Sequence, residues 1–363
     1  MKKICIFDTV EFKKNGVSET IMNILSENEK RKNCEFTLVI TGEVDSYYLD
    51  ILSRYSLKVI TLSNRKKEYF HFLKQTKDFF KSNTFDLIHI HTNNALSLLD
   101  LYAIGKSKKI VQCHQDKTDH PIVHSFMKPF FNRSFDFGIA VGPETSNLCF
   151  EKENFVLLPN PIDTDKFLFS ESERKTYRKQ MGYKNSDIVL LSVGRLEDQK
   201  NYEYELKVFE QLVKLNENYQ LLIIGDGSKR DYLENLVSSN NIKNVKFIFS
   251  VDNVTPYYSM SDLFLLLSQH EALGLVVIEA QINGLVSISS SAVPKMAVVS
   301  EYFHYMDIHS TFENSANYID KIVYSTKIYS RANNKVDARI HPYEKSNSYV
   351  ALIAIYDKIL KNE

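Results

Sequence analysis

Two glutamates flank an almost wholly apolar stretch of the sequence, and both could bind hydroxyl groups. In HEALGLVVIEAQINGL, residues 270–285, Glu271 and Glu279 stand on either side of seven residues that are nearly all apolar. The stretch follows the apolar run Leu263–Leu267 and predicts a helix over Leu275–Asn283. Amides at a helix N-terminus favour an anion such as a phosphate, while the carboxylates can accept hydrogen bonds from sugar or ribose hydroxyls. The simpler alternative is that Glu271 caps the helix and Glu279 lies on the surface.

Two cations follow a predicted strand earlier in the same half of the chain. Arg195 emerges directly after the run Ile188–Val193, and Lys200 comes five residues later, before a helical pattern. An arginine can bind two oxygens at once and a lysine adds a point charge, so the pair suits a diphosphate. The alternative is a surface pair that neutralises Glu197 and Asp198.

A glycine-rich turn, LLIIGDGSKRDYL, follows the next strand pattern. Gly225 and Gly227 flank an aspartate, and Ser228 is a candidate helix N-cap. A dinucleotide-binding loop requires a third glycine, but Arg230 occupies that position. The pattern therefore favours a structural turn and argues against a dehydrogenase.

These segments belong to a regular alternation of short apolar runs with helical patterns. The predicted strands are Ile4–Phe7, Phe36–Ile40, Leu87–His91, Ile110–Cys113, Phe137–Val141, Phe155–Leu158, Ile188–Val193, Leu221–Ile224, Val245–Phe249, Leu263–Leu267 and Val286–Ser289. The predicted helices include Ser18–Glu29, Tyr69–Lys81, Glu203–Leu215 and a final amphipathic one at Tyr349–Leu360. Alternating strands and helices predict parallel sheets, and the proline-containing segment near 160–170 divides them into two doubly wound α/β domains. Ligands of such sheets bind beyond the carboxyl ends of the strands.

Composition limits the class of protein. The 363 residues include 45 basic and 45 acidic side chains, a balance that argues against a nucleic-acid-binding protein. The four cysteines match no zinc or redox motif, so a reducing compartment is expected, with Cys5 and Cys113 in the core. No segment has the length of apolar sequence that a membrane span needs, which predicts a cytoplasmic protein.

Basic residues are concentrated in the first half. Between Arg65 and Arg133 there are 12 basic and 6 acidic residues, and Ile122–Phe135 is a basic-aromatic stretch. The excess either forms a solvated face or touches anionic lipid headgroups, which would make the protein peripheral at the inner face of the plasma membrane.

Taken together, these motifs resemble the retaining glycosyltransferases of family 4, over nearly the whole chain. The matching segments are Glu271 with Glu279 (the family's E-x7-E motif), SVGRLEDQKN at 192–201, IIGDGSKRDYL at 223–233, LLPNPIDTDKF at 157–167 and FDLIHIHT at 85–92. The resemblance implies the GT-B fold, in which two Rossmann-like domains face each other across a cleft. It implies an acceptor-binding domain at 1–163, a nucleotide-sugar-binding domain at 164–345, and a crossover helix at 346–363 that packs back on the first domain.

The resemblance also implies roles at the donor site. Arg195 and Lys200 would hold the pyrophosphate, Glu279 the ribose hydroxyls, and Glu271 the hydroxyls of the donor sugar near the reacting carbon. The backbone that lines the sugar and β-phosphate would be that of Ala272, Leu273, Gly274 and Leu275. The loop with Ser250 and Val251 would help to hold the base, although Ser250 replaces a glycine that is common in the family.

In the first domain, four residues are implied in the site. Gly16 matches a glycine loop that approaches the phosphate and acceptor, and Asn15 replaces a second glycine there as a residue that tolerates left-handed backbone. His114 matches a histidine that contacts the transferred sugar, its alternative being a buried histidine at a strand end. On the acceptor side, His91 is expected to face the cleft, and Asn160 belongs to the matched interdomain segment.

The implied reaction moves a hexose or N-acetylhexosamine from a nucleotide-diphosphate sugar, more commonly a UDP-sugar, to a lipid-linked or saccharide acceptor. It retains the anomeric configuration and needs neither a metal nor a cofactor, because the cations and helix amides stabilise the leaving diphosphate. Bacterial capsule, exopolysaccharide or O-antigen synthesis is the expected setting. The alternatives are a catalytically silent nucleotide-sugar-binding subunit of a partner transferase and a nucleotide-sugar 2-epimerase of the same fold.

Overall fold

The protein forms two compact units, each built on one parallel β-sheet. The computed structural model describes residues 1–13, 15–151, 154–249, 251–326, 331 and 336–361. The first unit contains residues 1–162 and 341–363, and the second contains residues 163–340.

All strand pairs of the two sheets are parallel. The first sheet contains β1 (Lys2–Glu11), β2 (Cys34–Thr41), β3 (Lys58–Leu62), β4 (Leu87–Thr92), β5 (Lys109–Cys113), β6 (Phe137–Ala140) and β7 (Phe155–Leu157). The second contains β8 (Ile188–Val193), β9 (Tyr219–Ile224), β10 (Val245–Ile248), β11 (Leu263–Leu266), β12 (Val286–Ser290) and β13 (Phe303–Met306).

Helices connect the strands. In the first unit they are α1 (Gly16–Arg31), α2 (Ser46–Leu52), α3 (Tyr69–Ser82), α4 (Leu98–Ile104), α5 (Pro121–Phe131) and α6 (Pro143–Cys149). In the second unit they are α7 (Glu171–Met181), α8 (Tyr202–Leu215), α9 (Arg230–Ser239), α10 (Thr255–Met260), α11 (Leu275–Ile282) and α12 (Phe312–Ser325). The chain then returns to the first unit as α13 (Lys345–Lys361).

The strand order of both sheets is doubly wound. The first sheet is ordered β3-β2-β1-β4-β5-β6-β7 and the second β10-β9-β8-β11-β12-β13. The direction of winding therefore reverses between β1 and β4, and again between β8 and β11. Ligands of doubly wound sheets bind in the crevice outside the carboxyl ends of the strands at this reversal. The predicted α/β architecture, with its two Rossmann-like domains, is confirmed.

Helix α13 completes the core of the first unit. Its buried side chains Tyr349, Leu352 and Tyr356 join the cluster under α1 that contains Ile4 and Ile6 of β1. The prediction that the final helix packs on the N-terminal domain is therefore confirmed.

Two of the four edge strands, β3 and β13, escaped prediction, whereas the edge strands β7 and β10 were predicted. Most of the side chains of these two strands are exposed or only partly buried. A search for continuous apolar runs finds central strands, which are covered on both faces, and overlooks edges such as these.

Within the described ranges, no helix combines the length and apolarity needed to cross a bilayer. All four cysteines are buried free thiols, and Cys5 and Cys113 lie in the core as expected.

Candidate active site

Arg195 lies in the loop that follows β8, beside the winding reversal of the second sheet. The loop is fixed at Gly194, whose amide donates to the carbonyl of Ile224 at 2.9 Å. The carbonyl of Gly194 in turn accepts from the hydroxyl of Tyr202 at 3.1 Å. The Arg195 side chain is exposed. Its charge is felt at Glu197, whose pKa is lowered mainly by hydrogen bonds from Ser228 and to a smaller degree by Arg195. A rigid backbone thus presents an arginine that can bind an anion.

The glycine-rich turn after β9 supports this loop from the side. A Cβ atom on Gly225 would lie 1.9 Å from the carbonyl oxygen of Gly194, and one on Gly227 would lie 2.5 Å from that of Leu196. Only glycine allows so close an approach of two backbones, so the interpretation as a structural turn is confirmed. Ser228 is not the helix cap that was predicted, because α9 begins at Arg230.

Lys200 and Glu271 form a buried ion pair. The Lys200 ammonium lies 2.6 Å from Oε1 of Glu271, which also accepts from the hydroxyl of Ser268 at 2.6 Å. Both side chains are largely buried. Lys200 therefore does not pair with Glu197 or Asp198, and it faces the loop that follows β11.

Two further hydrogen bonds tie the two loops together. The side-chain amide of Gln199 donates to the carbonyl of His270 at 2.8 Å, and the amide of Gln269 donates to the carbonyl of Gln199 at 2.8 Å. Gln199, next to Lys200, is thus hydrogen-bonded to both residues that precede Glu271. The geometry of the pair is set by the backbone as well as by attraction between the charges.

Helix α11 begins at Leu275, four residues after Glu271. Gly274 takes the left-handed conformation, with φ 77°, and precedes the helix without a side chain that caps it. Glu271 therefore does not cap the helix, which was the simpler of the two interpretations of the sequence. The first amides of α11, which follow the short segment Ala272–Leu273, can donate to an anion.

Glu279 lies one turn from the end of the same helix and is held by a buried tyrosine. The hydroxyl of Tyr258 donates to Oε2 of Glu279 at 2.7 Å and also lies 3.3 Å from the carbonyl of Val276. Burial and the neighbouring carboxylate raise the pKa of Tyr258 far above its usual value, so the phenol stays a donor. The Glu279 carboxylate is only partly buried, so Tyr258 fixes its orientation while it stays accessible to a ligand.

The predicted base-binding loop is described only in part. Ser250 lies outside the described residues, and Val251 is partly buried. Just before them, the Arg230 guanidinium stacks over the ring of Phe249, 3.4 Å from its centroid.

The first helix of the first unit starts with a side-chain cap. Asn15 is extended, with φ −150°, and its side-chain oxygen accepts from the amides of Val17 and Ser18 at 2.9 and 3.0 Å. The left-handed backbone that asparagine tolerates is therefore not used at this position. Gly16 is the exposed first residue of α1, and it needs no unusual conformation there.

His91 and His114 contact each other at the carboxyl ends of β4 and β5. Nδ1 of His91 lies 3.0 Å from Nε2 of His114, and the two rings are stacked. His91 is completely buried, so the expectation that it faces a cleft is wrong, while His114 remains partly exposed. A third histidine, His89 of β4, lies deeper in the unit. Its Nδ1 is 2.7 Å from the hydroxyl oxygen of Tyr356 in α13.

Burial keeps these histidines neutral. It lowers the pKa of His89 and of His114 to about 3, and it lowers that of His91 well below its usual value. A hydrogen bond with the buried side chain of Asn160 raises the pKa of His114, but by less than burial lowers it. Asn160, which was predicted on the acceptor side, therefore lies beside these histidines. Neutral rings can accept or donate a hydrogen bond without carrying charge.

A polar cavity of about 280 Å³ opens at the winding reversal of the first sheet. Its walls include Thr9 of β1, Thr92 of β4, Asn94 and Gln115. Hydroxyl and amide side chains at this edge are suited to hydrogen bonds with a polar ligand.

Sequence reasoning missed Tyr258 and Ser268, which hold the two glutamates. Ser268 stands three residues before Glu271, so its polar side chain directly after an apolar strand was a usable signal. Tyr258 lies 21 residues from Glu279 and reaches it from a different helix, α10. No spacing rule along the chain would have found that contact.

Comparison with known proteins finds a family model that matches most of the second unit. Residues 173–337 match the family model for glycosyl transferases group 1. An uncharacterized glycosyltransferase of Haemophilus influenzae is 25% identical over 347 residues, which cover 92% of this chain and 94% of that protein.

A named transferase and a solved structure extend the likeness. The GalNAc-alpha-(1->4)-GalNAc-alpha-(1->3)-diNAcBac-PP-undecaprenol alpha-1,4-N-acetyl-D-galactosaminyltransferase of Campylobacter jejuni is 31% identical over 241 residues, 63% of this chain and 61% of that protein. The crystal structure of Anabaena HepE in complex with UDP and glucose superposes with a TM-score of 0.82 at 16% identity, covering 98% of this chain and 100% of that one.

Proposed function

We propose that this chain is a group 1 glycosyltransferase of the GT-B fold and that its donor is a nucleotide-diphosphate sugar. The transferred group is a hexose or N-acetylhexosamine, and it passes to an acceptor hydroxyl with its anomeric configuration retained.

The observation that carries the proposal is the placement of Lys200 and Glu271 beside the uncapped start of α11. Their ion pair of 2.6 Å lies where the winding of the second sheet reverses, which is where such sheets bind ligands. An ammonium has three donors, so Lys200 can hold Glu271 and a phosphate oxygen together. Glu271 keeps acceptor capacity for a sugar hydroxyl, because a carboxylate can accept several hydrogen bonds.

The leaving group explains why cations collect at this edge. As the bond between the sugar's anomeric carbon and the phosphate oxygen breaks, negative charge develops on the diphosphate. Arg195, Lys200 and the first amides of α11 would stabilise that charge, which is commonly the largest contribution to catalysis. The acceptor oxygen forms the new bond to the anomeric carbon from the same face, and its proton passes to the leaving phosphate. In this proposal the reaction needs no metal.

Uridine diphosphate is the nucleotide that we propose. The Anabaena protein, which shares the fold, was solved with UDP and glucose. Glu279, oriented by Tyr258, would accept hydrogen bonds from the two ribose hydroxyls.

The proposed acceptor is a lipid-linked saccharide in the assembly of a bacterial surface polysaccharide. The Campylobacter relative is named for an undecaprenol-diphosphate acceptor. An acceptor of that kind lies in a membrane, so the enzyme would work as a peripheral protein at the bilayer surface.

A panel of donors tests the proposal. We expect UDP-glucose, UDP-galactose and their N-acetylamino forms to raise the melting temperature more than GDP-mannose does, and at least one to release UDP in the presence of lipid-linked acceptors. Addition of EDTA should leave the rate of UDP release unchanged. A protein that binds UDP-sugars but releases no UDP with any acceptor would be a silent subunit instead.

A further inference from the structure

Asp8 is a completely buried carboxyl group near the carboxyl end of β1, beside the winding reversal of the first sheet. Its Oδ1 accepts from the amide of Val10 at 2.9 Å, but its Oδ2 has no hydrogen-bond partner among the described residues. Burial raises the pKa of Asp8 to about 8, so the carboxyl group holds its proton at neutral pH. A protonated carboxyl can donate one hydrogen bond, and Oδ2 is the oxygen left to do so.

Asp8 stands next to His91 of β4. The two residues are partners in the parallel ladder, and the hydroxyl of Thr9 donates to the carbonyl of His91 at 3.0 Å, which fixes β1 to β4 at this level. His91 is also completely buried, and its Nε2 lacks a hydrogen-bond partner in the same described ranges. Two buried polar atoms on adjacent residues thus remain to be paired, and buried polar atoms normally have a partner.

Both side chains belong to the face of the sheet that α13 covers. Successive side chains of a strand alternate between the two faces. Ile6, two residues before Asp8, shares a core cluster with Tyr356 of α13. His89, two residues before His91, contacts the hydroxyl of the same tyrosine. Asp8 and His91 therefore lie side by side on this face, where Oδ2 and Nε2 can meet directly or through one buried water molecule.

The bonds of His114 give this group a direction. Its Nε2 lies 3.0 Å from Nδ1 of His91. The bond with Asn160 raises the pKa of His114, which means that the ring donates to the amide oxygen. Nδ1 of His114 and Oδ1 of Asn160 have no other partner in the part of the chain that the structure describes. Nδ1 of His114 therefore carries the ring proton, Nε2 accepts from His91, and Nε2 of His91 is left to accept from Asp8.

We propose that Asp8 and His91 are positioning residues that determine which ring nitrogen of His114 carries its proton. Asp8 donates to His91, which donates to His114. His114 in turn donates to Asn160, so all four buried polar atoms obtain a partner. Of the three rings in this group, His114 alone is partly exposed, at the edge of the sheet where ligands bind.

Ionisation of Asp8 reverses the direction of these bonds. One proton leaves for solvent, and the carboxylate can then only accept. His91 donates to the carboxylate from Nε2 and accepts at Nδ1. His114 likewise donates from Nε2 and accepts at Nδ1, and the amide of Asn160 turns to donate. Each ring keeps one proton, which has moved to its other nitrogen.

No charged side chain competes with Asp8 for control of these rings. Burial raises the pKa of Asp8 and the amide of Val10 lowers it, without a contribution from a charged group of the described chain. Only burial and Asn160 act on the pKa of His114 in the same way. The pKa of His91 is lowered by burial and by the other two histidines.

The helices over this face add no charge either. Burial raises the pKa of Tyr356 in α13 well above its usual value, so this phenol stays protonated. It can therefore donate to Nδ1 of His89, whose other nitrogen donates to Gln112, a bond that raises the pKa of His89. In α1, Glu19 accepts from a tyrosine of α2 and Glu27 pairs with a lysine of its own helix. His89 is thus held by groups that do not titrate with Asp8.

Nitrogen-15 NMR of the histidine rings tests the inference without any substrate. The protonated and unprotonated nitrogens of a neutral ring have well separated shifts, and His114→Gln assigns the His114 signals by their loss. Protonated Asp8 should exceed the ionised form by about tenfold at pH 7, and the reverse should hold at pH 9. We expect the wild-type His114 proton on Nδ1 at pH 7 and on Nε2 at pH 9, while His89 keeps its proton on Nε2 throughout.

Variants separate Asp8 from other causes of the change. Asp8→Asn places an amide donor there at every pH, so His114 should keep its proton on Nδ1 at pH 9. The matched control is Asp86→Asn, at an exposed aspartate directly before β4, and it should respond to pH like the wild type. His91→Phe keeps an aromatic ring but removes both nitrogens, and His114 should then no longer respond to Asp8. Unchanged melting temperatures show that the variants are folded.

The same tautomer of His114 at both pH values in the wild type would overturn the inference. So would a change of tautomer in Asp8→Asn equal to that in the wild type. The wild-type pH comparison needs no variant, so a variant that fails to fold does not remove the test.

The effect on turnover rests on the proposed function. A histidine in the wrong tautomer loses its catalytic use. Between pH 7 and pH 9 the kcat of the wild type should therefore fall about tenfold relative to that of Asp8→Asn, with similar KM values for the UDP-sugar. Equal pH dependence of kcat in the two proteins would remove the positioning role. A tautomer change without UDP release by any form would count against the proposed function alone, and UDP release without a tautomer change would count against the inference alone.

Discussion

At the scale of single residues, the two glutamates of the second unit have different surroundings and should therefore have different roles. Glu271 is paired with a cation and is largely buried, whereas Glu279 is held by the neutral phenol of Tyr258 and stays partly exposed. A buried ion pair is suited to hold a reacting group in one position. A partly exposed carboxylate is suited to bind hydroxyls of a ligand that must enter and leave.

This difference predicts unequal effects on nucleotide affinity. Glu279→Ala should weaken UDP binding by roughly 10- to 100-fold, the value of one or two hydrogen bonds to a charged group. Glu271→Ala should weaken UDP binding less and reduce turnover more. Calorimetric titration with UDP, which lacks the sugar, measures the first effect, and equal losses of affinity in both variants would refute the assignment.

In contrast to Glu279, Lys200 should affect turnover more than nucleotide affinity. Its charge matters most when the leaving group is formed. Lys200→Ala should reduce the turnover number by about 100-fold or more, as the removal of a single stabilising group at a developing anion does. The matched control is Lys207→Ala in α8, a lysine whose partner Glu203 lies on the same exposed helix face. Turnover of the Lys200 variant within a factor of two of the control would contradict the proposed role.

At the scale of elements, a buried carboxyl group between β8 and α8 makes stability depend on pH. Burial raises the pKa of Glu205 to about 8, and its side chain is hydrogen-bonded to Ser192 of β8. Because the folded pKa lies above the unfolded one, the folded state holds the proton more tightly. Its contribution to stability is complete below the unfolded pKa and is lost as the pH rises toward 8.

Glu205→Gln should therefore stabilise the protein at pH 9 relative to the wild type and have little effect at pH 5. Glutamine can still accept a hydrogen bond from Ser192. It also removes the free-energy cost of ionising a buried carboxyl at high pH, roughly 1.4 kcal/mol for each unit of pKa shift. Chemical denaturation at the two pH values measures it. Glu210→Gln, at a position of the same helix that is only partly buried, should show no such pH dependence, and a similar gain there would exclude burial as the cause.

At the scale of the whole molecule, the limits of sequence reasoning follow from distance along the chain. Central strands, the glycine turn at Gly225 and the importance of Lys200 and Glu271 could be inferred from local patterns. The direct ion pair between Lys200 and Glu271 could not, because it joins residues 71 positions apart. The burial of His91 could not either, since α13 helps to cover that face of the sheet from the far end of the chain.

The covering helix gives a prediction about stability. Leu352→Ala should lower the free energy of unfolding of the first unit by about 2–5 kcal/mol, because Leu352 is buried in the core shared with α1. Val350→Ala changes an exposed residue of the same helix and should cost far less. Urea denaturation followed by tyrosine fluorescence compares the two variants, and equal losses of stability would mean that α13 does not stabilise the unit through its buried face.

The discontinuous first unit also has a consequence for biosynthesis. Its seven strands leave the ribosome early, but α13 is translated only after all of residues 163–340. Domains usually mature in the order in which they are made. Here the second unit is one contiguous segment and can fold while the first sheet still lacks α13. The unit whose synthesis begins first is therefore completed last.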